Sequence, residues 1–248
     1  MKKILVFSLA YYPRVGGAEV AIKEITDRIS PGDFEFHMVT MRFDSADARE
    51  EKIGNIFVHR VGNGGGRFSK ILFIPRAARS AARLHKEKKF DALWAMMSYM
   101  LLPIVLSRQY IGLPYVLTLQ EGDSYEHMFK RWHVKIFSGL LSSGFRHARV
   151  VQAISNYLGG WARKRGFRGP LEIIPNGVDI KKFIGEKISH DGTVLITSSR
   201  LVQKNAVDDI IRALALLPQN IRLVVVGIGS DEKKLKKLSK ESGVESRV

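Results

Sequence analysis

Short apolar clusters recur along the chain and alternate with longer amphipathic stretches. Residues 4–8, 36–41, 56–61, 92–95, 115–119, 150–154 and 171–174 are runs of Val, Ile, Leu, Phe and their neighbours. They are too short for helices and too continuous for half-buried strands, which predicts strands covered on both faces. Between most of them, apolar residues return at three- and four-residue spacing, which predicts helices over 18–29, 71–86, 99–107, 125–143 and 156–165. Ser155 stands before the last of these as an N-cap. Strands that alternate with helices imply a parallel sheet with helices on both sides, a doubly wound α/β arrangement.

The rhythm breaks at Pro175-Asn176-Gly177-Val178-Asp179, which has turn chemistry. A polar, irregular stretch follows, and then a second α/β pattern: strand 193–198, helix 205–217, strand 222–226, Gly227-Ile228-Gly229, helix 231–241. The expected organisation is an N-terminal domain over 1–175, a hinge over 176–191 and a second domain from 192 to 248. Two strands and two helices cannot cover both faces of a sheet. The second pattern therefore reads as the opening half of another doubly wound domain, with an unpaired edge and uncovered apolar surface.

Composition narrows the function classes. There is no cysteine, so disulfides and thiolate metal sites are absent and a cytoplasmic setting is allowed. The apolar stretch 92–106 is too short for a membrane span and contains Ser98 and Pro103. The net charge is +16 and unevenly placed: residues 126–170 hold nine Lys and Arg against one acid. Such a block calls for an anionic partner, whether nucleic acid, acidic membrane or phosphorylated small molecules. Within it Phe129, Trp132, Ile136, Phe137 and Leu140 recur at helical spacing among Lys130, Arg131 and Lys135. That pattern fits either peripheral contact with an anionic membrane or an ordinary core-facing helix with solvated cations.

Candidate chemistry gathers where strands hand over to helices. After the strand 193–198 comes Ser199-Arg200-Leu201-Val202-Gln203-Lys204. A helix N-terminus favours an anion, and Arg200 and Lys204 add a fork donor and a point charge suited to a diphosphate. After the first strand, Gly16 and Gly17 permit close backbone approach to a phosphate or sugar, or form a plain glycine turn. At the end of 115–119, Gln120, Glu121 and Asp123 offer one hydrogen-bonding amide and two acid/base candidates. Asp123 could equally be a helix cap. Gly227 and Gly229 allow close approach at another strand end.

Gly16-Gly17-Ala18-Glu19 after the first strand, Ile174-Pro175-Asn176-Gly177-Val178-Asp179 with Phe183 at the hinge, and Ser199-Arg200-Leu201-Val202 with Lys204 together resemble the family 4 retaining glycosyltransferases of GT-B fold. Their order and spacing match along essentially the whole chain. The resemblance implies transfer of a sugar from a nucleoside diphosphate sugar to a glycan or lipid-linked acceptor, with neither metal nor cofactor. Arg200 and Lys204 would hold the donor diphosphate, Gly16 and Gly17 would line the cleft from the other side, and Gly227 and Gly229 would lie near the nucleotide. The protein would be cytoplasmic, with peripheral contact at the inner face of the membrane. Two positions depart from the family. Gln120 stands where many members have a histidine, and Asn205 follows Lys204 where glycine is usual. The family's paired glutamates, which hold the ribose and sugar, would fall beyond Val248. A non-catalytic sugar- or nucleotide-binding fragment or subunit is therefore the alternative. A nucleic-acid binder lacks a recognisable motif, and neither strand-to-helix turn has the dinucleotide glycine spacing.

Overall fold

The computed structural model describes residues 1–64, 66, 68–185 and 192–248, so 186–191 of the expected hinge lie outside the described residues. The chain divides into two units, Met1–Val178 and Asp179–Val248. The first contains β1 (Lys2–Phe7), α1 (Gly17–Asp27), β2 (Phe34–Met41), β3 (Glu50–Ile53), β4 (Ile56–Val61), α2 (Ser69–Lys88), β5 (Ala92–Met96) and α3 (Leu101–Ser107). It continues with β6 (Tyr115–Leu119), α4 (Tyr125–Phe129), α5 (Trp132–Lys135), α6 (Ser138–His147), β7 (Val150–Ala153), α7 (Asn156–Lys164) and β8 (Leu171–Ile173).

The eight strands form one sheet in the order β3-β4-β2-β1-β5-β6-β7-β8. Every pairing is parallel except that of β3 with β4. The chain winds outward from β1 to β2 and β4 on one side and returns to β5 on the other. The point where that winding reverses, at the carboxyl ends of β1 and β5, is where open α/β sheets leave a crevice for ligands. The central strand has the doubly covered character expected of it. Leu5 and Phe7 enter the core with Phe73, Leu101 and Phe145, while Val6 between them joins Ile22, Met38 and Ile56 on the other face. Close approach on the first face depends on Gly144, where an added Cβ would lie 2.8 Å from Leu101 Cβ.

Two features depart from the sequence pattern. Glu50–Ile53 pairs antiparallel with β4 through a tight turn in which Gly54 takes φ +57°. Its run Glu-Glu-Lys-Ile has no apolar face to announce a strand, and its charges suit the edge position it occupies. The second departure is the single helix expected over 125–143, which is instead α4, α5 and α6. Arg131 is extended, at φ −64° and ψ 138°, and interrupts the helical run. The break lets Phe129 turn into the core, where it meets Trp161 edge-on at 5.4 Å and takes the Arg165 guanidinium over its ring at 4.0 Å. Arg165 also donates to Ser138 Oγ at 2.9 Å and Ser142 Oγ at 3.3 Å, pinning α6. Phe129 and Phe137 therefore pack inward, and Ile136 and Leu140 remain exposed. No helix among the described residues is long and apolar enough to cross a membrane.

The second unit contains β9 (Thr193–Ser198), a 3-10 turn (Gln203–Asn205), α8 (Val207–Ala215), β10 (Ile221–Val226) and α9 (Glu232–Glu241). β9 and β10 pair in parallel with Leu195 opposite Leu223. Leu201, Val207, Ile211, Leu214, Leu223 and Leu235 form its core. Ile196, Val224 and Val226 on the two strands are exposed.

Candidate functional site

In the first unit the strand ends bring Gly17 and Gln120 together. The Gln120 amide at the exit of β6 donates from Nε2 to the Gly17 carbonyl at 3.2 Å, across the end of β5. Gly16 caps α1, and its N–H donates to Glu19 Oε2 at 2.7 Å. The Gly-Gly-Ala-Glu run is thus a helix start whose glutamate satisfies one of the free N–H groups. Gly16 itself is extended (φ −136°, ψ −172°), a conformation open to any residue. The bond to Gly17 fixes which way the Gln120 amide faces, and its Oε1 is then a buried acceptor without a donor among the described residues. A buried, unanswered acceptor at a strand end is where a ligand hydroxyl or a water belongs.

Glu121 sits deeper. It is buried, and its carboxylate accepts from the Ser98 N–H at 2.6 Å and the Gln120 N–H at 3.0 Å. Burial pushes its carboxyl above the ordinary 4.5, opposed by hydrogen bonds from Ser98 and from the N–H groups of Gln120 and Glu121 itself. The carboxylate therefore braces the turn after β5 to the end of β6. That turn needs bracing, because Met97 has φ 72° and ψ 154°, a region reserved almost wholly for glycine. Such a conformation costs about 1–3 kcal/mol and persists where the surroundings over-determine it. Here the Met97 N–H donates to the Thr118 carbonyl at 2.8 Å, one residue before Glu121 takes hold of Ser98. Asp123 lies partly exposed in the loop after Glu121. It does not cap the following helix: Ser124 does, its Oγ accepting from the His127 N–H at 3.2 Å. The strand over 92–95 and the helix from 99 leave a turn here, but the left-handed φ of Met97 has no glycine to announce it.

In the second unit Arg200 and Lys204 occupy the connection between β9 and α8, both exposed. Lys204 lies in the 3-10 turn, and α8 starts only after Ala206, which is left-handed at φ 50°. The helix's first turn already carries Asp208 and Asp209, both paired with Arg212. The cationic place is therefore the loop itself rather than the first turn of α8. The Arg200 carbonyl accepts from the Val202 N–H at 2.9 Å and Asn205 Nδ2 at 2.6 Å, so the asparagine after Lys204 folds back to fix the Arg200 backbone. Leu201, buried, donates its N–H to the Ile228 carbonyl and accepts from the Asp231 N–H, each at 3.0 Å. Gly227, at φ +156°, and Gly229 press against this loop: a Cβ on either would be driven into the carbonyl of Ser199 or Leu201 respectively. Both glycines are thus required by loop-on-loop packing beneath Arg200.

The pH dependence of stability tests the placement of Glu121. Unfolded, its carboxyl titrates near 4.5; folded, it titrates higher. Between those values the folded chain holds a proton that the unfolded chain has released. The carboxyl's contribution is complete below the unfolded value and is lost as pH rises through the folded one. Glu121→Gln does not titrate, so the advantage of wild type over it should shrink as pH is raised from 4.5. Denaturant unfolding of both proteins across pH measures this; a gap that stays constant contradicts the buried carboxyl.

The Glycosyltransferase Family 4 profile matches residues 15–182 and the Glycosyl transferases group 1 profile matches residues 179–248. No curated protein sequence matches the chain significantly. Among solved structures, sucrose-phosphate synthase from Thermosynechococcus elongatus is similar at TM-score 0.80 and 15% identity, over 100% of this chain and 69% of that one. HepE from Anabaena, in complex with UDP-glucose, is similar at TM-score 0.72 and 20% identity, over 100% of this chain and 68% of that one. The lipopolysaccharide outer core galactosyltransferase WaaB, in its apo form, is similar at TM-score 0.67 and 20% identity, over 100% of this chain and 67% of that one. At these identities the likeness establishes the α/β GT-B fold, while the profile covering most of the chain establishes the family. The chain belongs to glycosyltransferase family 4.

Proposed function

We propose that the protein transfers a sugar from a nucleoside diphosphate sugar to a glycan or lipid-linked acceptor, with retention at the anomeric carbon. The observation that carries this reading is the β9-to-α8 connection, where Arg200 and Lys204 stand exposed on a loop fixed by Asn205, Leu201 and two tightly packed glycines. The complex of HepE with UDP-glucose, on the same fold, supports the donor class. In the reaction the bond from the anomeric carbon to the diphosphate breaks, a bond to the acceptor oxygen forms as its O–H bond breaks, and the nucleoside diphosphate leaves carrying that proton. Arg200 and Lys204 neutralise the charge that grows on the departing diphosphate; held in advance by a rigid loop, they need little reorganisation. In the first unit, Gln120 Oε1 accepts from a sugar hydroxyl, Asp123 serves the acceptor, and Glu121 positions Gln120 from below. No cofactor enters this scheme.

Peripheral contact with an anionic membrane, in this reading, rests on exposed Ile136 and Leu140 and on Lys130 and Lys135, exposed in the same segment of the chain. Co-sedimentation with phosphatidylglycerol vesicles should exceed that with phosphatidylcholine vesicles and fall on Ile136→Ser. Equal sedimentation with both lipids contradicts the contact.

The donor site is tested by calorimetry with UDP and UDP-glucose on wild type and Arg200→Ala. A charge-assisted hydrogen bond contributes about 1.5–3 kcal/mol, so the substitution should weaken diphosphate binding roughly tenfold or more. Unchanged affinity at matched salt rejects the assignment. Release of nucleoside diphosphate over many turnovers with an acceptor extract distinguishes a transferase from a protein that only binds.

A further inference from the structure

Strand β3, the exit of β4 and one face of α2 enclose an open groove of about 750 Å³ at the edge of the first unit's sheet. Five arginines line it, Arg49, Arg60, Arg76, Arg79 and Arg83, against one carboxylate, Glu50. Arg76, Arg79 and Arg83 recur at three- and four-residue spacing in α2 and so share one helix face, and all three are exposed. Like charges at that spacing repel. No carboxylate among the described residues lies within ion-pair distance of Arg76 or Arg79.

The opposite wall contributes Arg49 and Arg60, with Glu50 and Glu51 beside them. Gly62 leaves β4 with φ +100°, and a Cβ there would lie 3.8 Å from Arg76 Nη1, so the strand exit and the helix face stand close together. Arg49 is steered by a hydrogen bond from its Nη2 to Asn63 Oδ1 at 3.0 Å. Arg60 forms the floor: it is buried, donates to the carbonyls of Ala48 at 2.9 Å and Tyr12 at 2.6 Å, and pairs with Glu51. Glu50 is drawn aside, 3.2 Å from His59 Nδ1 and 4.0 Å from Arg83. What remains is a concave surface with Arg76 and Arg79 on one side and Arg49 on the other. Planar guanidinium forks grip oxyanions in pairs of bonds, and the volume is that of a site for a small phosphorylated molecule.

We propose that this groove is an anion site separate from the Arg200–Lys204 loop, taking a phosphate- or diphosphate-bearing ligand on Arg76 and Arg79 with Arg49 across from them. The chemistry is the same for a free phosphorylated metabolite and for the phosphate of a lipid headgroup. Its presence does not depend on the donor reading.

Phenylglyoxal modification of arginines, located by mass spectrometry on the whole chain, tests the proposal residue by residue and keeps the groove distinct from Arg200. The probes are inorganic pyrophosphate, phosphatidylcholine vesicles containing phosphatidic acid, and phosphatidylcholine vesicles alone. Arg76 and Arg79 should be protected by pyrophosphate if the ligand is a free phosphorylated molecule. Protection by phosphatidic acid vesicles but not by pyrophosphate assigns a headgroup. In either case the double variant Arg76→Lys with Arg79→Lys, on exposed side chains, should bind the protecting probe at least about tenfold more weakly, because charge is kept and the forks are lost. Arg200→Ala should leave the protection of Arg76 and Arg79 intact. Protection by neither anionic probe, equal protection by phosphatidylcholine alone, undiminished binding by the lysine variant, or loss of protection on Arg200→Ala overturns the proposal.

Discussion

The Glu121 carboxylate lies where β5 and β6 release the chain at their carboxyl ends, and it accepts from the backbone N–H groups of Ser98 and Gln120 at once. Burying a carboxylate is unfavourable unless its oxygens are answered by donors, and here the answering donors are the backbone of the two turns that bound the crevice. The bond to Ser98 stabilises a turn whose preceding residue, Met97, is held in a glycine-like conformation. The bond to Gln120 sets the backbone from which the amide side chain reaches Gly17. One acid thus links β5, β6 and, through Gln120, the start of α1.

The second unit solves the same problem without a charge. There the loop that bears Arg200 is fixed by backbone bonds from Leu201 to the loop after β10, by Asn205 folding back on the Arg200 carbonyl, and by glycines that let two loops touch. Strand ends point the chain toward solvent and expose the polar backbone, so each unit needs a device that keeps its loop rigid. In one the device is a buried acid, in the other missing Cβ atoms.

Much of this was legible in the sequence because the buried strands are apolar on both faces. The ends of 56–61 and 115–119 coincide with β4 and β6, and Ser155 caps α7 through Leu158 N–H as its type predicts. What could not be read depends on contacts distant along the chain. The expected helix over 125–143 breaks because Phe129 is claimed by Trp161 and Arg165, more than thirty residues away. Glu50–Ile53 is a strand only because β4 lies beside it. Arg200 and Lys204 stand out because a strand pattern stops just before them, whereas the 3-10 turn that carries Lys204 is only three residues long and leaves no periodic signal. Glu121 was recognised as a candidate by its type and place; that it faces inward is a matter of tertiary packing. The charge excess was visible over 126–170, whereas the arginine groove gathers Arg49 and Arg60 with Arg76, Arg79 and Arg83 from segments that nothing in the linear pattern joins.

The central claim is that one buried carboxylate anchors the crevice side of the first unit, and amide hydrogen exchange at Ser98 and Gln120 tests it most directly. Both N–H groups lie in turns, yet both are bonded to a buried acceptor, so they should exchange as slowly as amides inside the neighbouring strands. Glu121→Ala should speed both by at least about tenfold and leave the amides of Leu5 and Val6 in β1 unchanged. Exchange at the rate of an open loop in the wild type, or protection that survives Glu121→Ala, would contradict the account.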